Sequence, residues 1–204
     1  MSTFIPRLLV TFVLAPSAFA VSTTDLAVKG AITPNACEPM ISSGGVVDFG
    51  KMSAKSLNAD QHTDLPRQIL TLSVRCEGPA FFTLNTIDNR AGSSANHHHW
   101  HGLGMTPSGE KLGGAGFGLY NAVADSEPVQ TIVSEDGGAT WATAVLLSHT
   151  GLTAVAQAGT SVPRAVKELD AELRLYTHIA PANGLSLVDE VPIDGHATVQ
   201  LKYL

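Results

Sequence analysis

Four imidazoles in five residues, His97-His98-His99-Trp100-His101, form the densest concentration of chemistry-bearing side chains in the sequence. Neutral imidazole is a good ligand for zinc, copper or nickel, and His97 with His99, or His99 with His101, could share an ion. Adjacent residues on one loop seldom close a tetrahedral shell, and no nearby Cys or close acidic pair completes this one. The expectation is therefore a solvated loop with weak, dispensable metal affinity, no resident cofactor and no metalloenzyme. Cys37 and Cys76 are the only two thiols. A nucleophilic role needs an unpaired sulfur and a partner His, whereas an oxidising compartment joins such a pair into a disulfide.

The N-terminus decides the compartment. Arg7 is the only charge before the apolar run Leu8 to Ala20, and Ala18-Phe19-Ala20 supplies the small residues at which a signal peptidase cuts. Residues 1–20 are read as a signal peptide cleaved after Ala20, and residues 21–204 as the exported chain. As a helix that run reaches only about 20 Å, short of the roughly 30 Å hydrocarbon core, and Pro16 interrupts it, so no integral membrane span is expected. Export makes a Cys37–Cys76 disulfide the default. Twelve Lys and Arg against 18 Asp and Glu, with no basic run, exclude nucleic acid as a partner.

What must position these residues is a set of strands. The chain is 204 residues long, 44% apolar and only 15% charged, with 19 Gly and 11 Pro, which is the composition of a packed globular domain. Period-2 alternation recurs in short segments bounded by Gly, Pro, Asn and Asp. Leu26, Val28 and Ile32 alternate; Val47 and Phe49 follow Gly44-Gly45; Leu70, Leu72, Val74 and Cys76 share a face. Further strands are expected around Ala80 to Leu84, Phe117 and Leu119, Val129 to Val133, and Ala144 to Leu147. From Gly92 to Gly118 no period is sustained, and this stretch reads as one long flexible Gly/His-rich excursion. Between Pro163 and Pro181 both helical and strand spacings fit; the β-branched and aromatic content of residues 175–179 favours a strand, with a turn of helix before it. Ala197, Val199, Leu201 and Tyr203 alternate to the C-terminus. One all-β domain without internal repeats is the simplest account.

Ser134-Glu135-Asp136-Gly137-Gly138-Ala139-Thr140-Trp141 resembles the Asp-box of sialidase propellers, a structural hairpin motif. One copy in so short a chain makes no propeller, so a hairpin turn at Asp136-Gly137-Gly138 is expected. No Ser-His-Asp set, phosphate loop or paired glycosidase carboxylates occur at recognisable spacing, and no enzyme is expected.

Taken in order, the segments resemble the subunits of chaperone-usher fimbriae. Residues 26–32 leading to Cys37, residues 45–51 followed by Ser56-Leu57, residues 70–76 with the second cysteine, and the penultimate aromatic Tyr203 carry the resemblance. More narrowly, residues 25–37 and Asp88-Asn89-Arg90-Ala91-Gly92 look like a proteobacterial branch of fimbrial-like secreted proteins. The resemblance implies an immunoglobulin-like sandwich that lacks its final strand, clamped by Cys37 and Cys76. It implies that Ala197, Val199, Leu201 and Tyr203 form the edge that pairs with a chaperone or donor strand, and that Leu26 and Val28 belong to a donor strand. The implied partners are a periplasmic chaperone, an usher and neighbouring fimbrial subunits, and the implied location is the periplasm and then the surface fimbria. Only Val21 to Asp25 precede the first alternating segment, which is short for a donating extension. The alternative is a fimbrial tip adhesin or glycan-binding secreted module that uses the Gly/His/Trp loop. A metal-dependent or glycan-acting enzyme is a distant third.

Overall fold

A computed structural model describes residues 27, 30 and 36–204; residues 1–20, expected to be a signal peptide, and Leu26 and Val28, expected in a donor strand, lie outside the described residues. The described chain is all-β. Its strands are β1 (Cys37–Ile41), β2 (Thr63–Asp64), β3 (Gln68–Ala80), β4 (Phe82–Asp88), β5 (His101–Gly102), β6 (Gly113–Ala124), β7 (Glu127–Ser134), β8 (Ala142–Thr143), β9 (Leu146–Leu147), β10 (Leu152–Gln157), β11 (Val166–Ile179) and β12 (Ala197–Tyr203). They pair antiparallel in the order β1-β3-β11-β6-β7-β10-β4-β12, with β2 beside β11, β5 and β9 beside β6, and β8 beside β7. The path curls until its ends meet: the Cys37 N–H donates to the Tyr203 hydroxyl at 2.8 Å. The result is a nearly closed, barrel-like sheet.

Alternation explains the core. Leu72, Val74 and Cys76 on β3, Leu169, Ala171 and Leu173 on β11, and Leu119 on β6 point inward and meet Phe82, Leu84, Leu147 and Val155 from the facing strands. A second cluster of Leu103, Leu112, Ala115 and Ile179 is covered by Leu57, Leu65, Leu185, Val191 and Ile193 from long connections. Cys37 and Cys76 are directly opposed in the β1–β3 register and joined by a disulfide.

Several expectations need correction. The Gly/His-rich excursion ends earlier than the sequence suggested, because Gly113–Ala124 is β6 and His101–Gly102 is β5. In β6 the alternation is between Ala115, Phe117 and Leu119 on one side and Gly114, Gly116 and Gly118 on the other, and glycine hides a period that depends on side chains. Each glycine has a steric reason. A Cβ on Gly116 would lie 2.8 Å from the Trp100 indole, and one on Gly114 would lie 2.8 Å from Asn96 Oδ1. The 166–179 segment is one strand with no helical turn before it, since its inner face is needed between β3 and β6. Val47 and Phe49 are half-buried but belong to no strand. β10, which the sequence reading did not single out, carries Ala154 and Ala156 in a small cluster with Ile132.

Turn chemistry fits the topology. Asp125 and Ser126 both have positive φ (51° and 68°) in the two-residue β6–β7 hairpin, the arrangement that follows the right-handed twist of the strands. Asn121, at φ 48°, sits at the bulge where the β6–β11 register shifts between Asp170 and Glu172.

Candidate functional site

The most site-like feature is an apolar cleft of about 200 Å³. Val47 and Phe49 come to it from the connection after β1, Ala197 and Val199 from β12, and Leu70, Phe117, Leu173 and Leu175 from the inner face of the sheet. A second cavity of about 410 Å³, between residues 47–57 and 187–193, adjoins the first, sharing Val47, Phe49 and Ile193 in its lining. Lys51 and Glu190 pair across this second part at 2.7 Å. Both are exposed, so the pair contributes little to stability.

β12 flanks the cleft, and among the described residues it pairs with β4 alone, from Ala197 opposite Asp88 to Tyr203 opposite Phe82. Of the four residues expected on its partner-facing edge, Ala197 and Val199 line the cleft and Leu201 packs on the main core. Tyr203 stands apart: it is 42% exposed, and its hydroxyl is spent on Cys37.

His101 closes the floor of the cleft, and sequence reasoning missed its burial. It is 1% exposed, Nε2 is hydrogen-bonded with Thr86 Oγ1 at 2.8 Å, and its ring meets Phe117 and, edge-on, His149. Burial foremost, and then the charge of His149, lower its pKa to about 4 against the opposing influence of Asp88, so it is neutral at physiological pH. The signal available in the sequence was its place two residues after His99 with Gly102 following, a strand entry disguised as loop.

His97, His98 and His99 lie in a turn in which His97 and His98 are exposed and His99 is half-buried. The Trp100 N–H donates to the His97 carbonyl at 2.9 Å, and the indole packs over Gly116 against His178 at 4.5 Å between ring centres. Among the described residues no three His, Cys, Asp or Glu already surround a common point.

The chain is similar to known bacterial proteins. It is 27% identical to Protein GltF of Escherichia coli (strain K12), over 94% of this chain and 93% of that protein. It is 24% identical to Uncharacterized protein YhcF of the same strain, over 93% of this chain and 94% of that protein. A family model described as Protein of unknown function (DUF1120) matches residues 26–101, a stretch that contains both cysteines, β1 to β4 and the whole histidine turn.

The remaining motif is structural. Ser134 Oγ donates to Asp136 Oδ1 and accepts from the Gly138 N–H, the Thr140 N–H and hydroxyl donate to Asp136, and Trp141 Nε1 donates to the Gly138 carbonyl. These bonds, the Thr140 hydroxyl foremost, hold the Asp136 carboxyl well below its usual range. Trp141 packs on Ile132, Ala154 and Ala156, so the turn pins the β7–β8 hairpin. No helix of the described residues is long and apolar enough to cross a membrane.

Proposed function

We propose that the protein is a structural subunit of a surface fimbria, an immunoglobulin-like sandwich lacking its final strand and completed by a strand from another molecule. The observation that carries this reading is β12: a strand with one strand neighbour among the described residues, beside an apolar cleft that is also lined by Val47 and Phe49 from a segment belonging to no strand. A strand inserted there gains main-chain hydrogen bonds from the rims and buries alternate side chains against Val47, Phe49, Val199 and the sheet. The full reading has an exported chain held first by a periplasmic chaperone, then passed at an usher to a neighbouring subunit. The occupant in the fibre is the 26–32 segment of that neighbour, with Leu26, Val28 and Ile32 on one face; seven extended residues span roughly 23 Å. No reaction is assigned to the protein.

The test uses the mature chain and a synthetic peptide of residues 26–32. Excess peptide is expected to raise the melting temperature and slow amide exchange in β12 and in residues 46–49, and a peptide with Leu26→Asp and Val28→Asp is expected to do neither. If the β12 amides of the isolated chain are already fully protected and peptide changes nothing, the edge is closed within the chain and the reading fails.

A second reading, a tip adhesin or glycan-binding module, draws on the outer face of β6 and β11. There Trp100 is half-buried beside His178, Tyr120 and Tyr176 share a hydroxyl contact, and Arg174 and Arg67 lie over the two tyrosine rings. Binding to a glycan panel that Trp100→Ala abolishes would favour it.

A further inference from the structure

The outer face of β6 and β11 is built around glycines. Gly114, Gly116 and Gly118 of β6 stand opposite His178, Tyr176 and Arg174 of β11. Side chains from other positions fill the space they leave: the Trp100 indole lies where a Gly116 side chain would be, and the Tyr120 ring covers Gly118. Tyr176 therefore has Trp100 as its neighbour across the ladder, and its hydroxyl donates to that of Tyr120 at 3.1 Å. On the next strand Ile69 stands opposite Arg174 and is 58% exposed. The rings are half-buried, so this face is an open apolar platform.

Its charges are unequally matched. Five arginines lie among the described residues, and Arg75, Arg90, Arg164 and Arg174 each pair with a carboxylate. Glu172, which takes Arg174, also accepts from Asn121, and His178 Nε2 lies 3.2 Å from Asp64. Arg67 alone of the five has no carboxylate partner among the described residues. It is exposed, and its guanidinium lies 4.9 Å from the centre of the Tyr176 ring. Stacking on a ring occupies the face of a guanidinium and leaves its N–H edges free to donate.

We propose that this face binds an acidic saccharide, with Arg67 pairing with its carboxylate and Trp100 and Tyr176 carrying the sugar ring. The planar fork of a guanidinium matches a carboxylate bidentately, and aromatic surface beside it suits the apolar face of a pyranose. A chain of net charge -6 does not draw anions from a distance, so the acid is recognised by local pairing rather than by the field of the whole molecule. The proposal rests on the glycan-binding reading of this face, and adds to it the class of sugar and the residue that selects it.

The experiment titrates trigalacturonate, and the same trisaccharide with its acids methyl-esterified, into the mature chain and follows the indole N–H signals by NMR. Trp100 and Trp141 are the only tryptophans, and Trp141, whose Nε1 is held by the Gly138 carbonyl, serves as the internal control. The acid is expected to shift the Trp100 signal alone and to bind about tenfold more tightly than the ester, the difference that one charge-assisted pair supplies. Arg67→Gln should erase that difference by weakening the acid and leaving the ester within about twofold. Lys202→Gln, which removes the same charge on β12, should leave both affinities unchanged. Both side chains are exposed, and melting curves establish that each variant is folded. If acid and ester bind equally, or if Lys202→Gln weakens the acid as much as Arg67→Gln does, the proposal is overturned while the glycan-binding reading stands. If neither sugar moves the Trp100 signal at tens of millimolar, both fail.

Discussion

β1 and β12 end the same sheet path, and they are held by different means. β1 has only five residues, carries Pro39 without a donor N–H, and is fixed to β3 by the Cys37–Cys76 bond as well as by its ladder. β12 has seven residues in unbroken register with β4 and no covalent tie. A short, proline-bearing edge strand is a poor ladder, so the cross-link does there what pairing cannot. The contrast is between an end of the sheet path that is covalently fixed and one that is held without a cross-link.

Breaking the covalent edge is expected to have the largest effect. Closing the loop between two cysteines 39 positions apart removes roughly 4 kcal/mol of unfolded-chain freedom in the loop-entropy treatment. Cys76→Ser should lower the urea midpoint accordingly, and native-state exchange should show β1 and the first half of β3 opening before β12. Equal loss of protection in β12 would mean that the two edges are a single unit.

Next comes a charge on β12. Leu201 packs against the main core, so Leu201→Asp should cost about 3 kcal/mol from lost burial and an unpaired carboxylate. Gln200→Asp, on the other face, should cost less than about 1 kcal/mol. Chemical denaturation of both variants measures the difference, and comparable losses would contradict the assigned faces.

The floor between the edges provides a pH test. His101 has a folded-state pKa of about 4 against 6.5 for the free side chain, because burial and His149 outweigh Asp88. Below pH 6.5 the unfolded chain therefore takes up a proton that the folded chain refuses. Stability should be complete above pH 6.5 and fall as pH drops toward 4, by on the order of 2 kcal/mol once solvent screening is allowed for. Denaturation in metal-free buffer across this range checks the slope, which His101→Gln should flatten.

How much of this was legible in the sequence depended on side chains that report a period. Leu72, Val74 and Cys76, or Val199 and Leu201, announced their strands because each apolar residue alternates with a polar one. Gly113 to Gly118 concealed theirs, since a glycine facing Trp100 carries no pattern of its own. The cysteine pair was readable from the count of two and the expectation of export. The burial of His101 was not, because it depends on Thr86, Phe117 and His149, all distant in sequence.

The smallest expected effect lies where the two edges touch. The Tyr203 hydroxyl accepts from the Cys37 N–H, while its ring is substantially exposed, so Tyr203→Phe removes one hydrogen bond and almost no packing. Such a bond contributes about 1 kcal/mol net, and the phenyl ring keeps the apolar contact. The global midpoint should therefore move only slightly. Exchange of the Cys37 amide should quicken more than that of any other residue in β1, because the substitution acts on that donor and leaves the β1–β3 ladder and the disulfide intact. If the Cys37 amide exchanges as slowly as before, Tyr203 does not join the edges, and the near-closure of the sheet rests on packing alone.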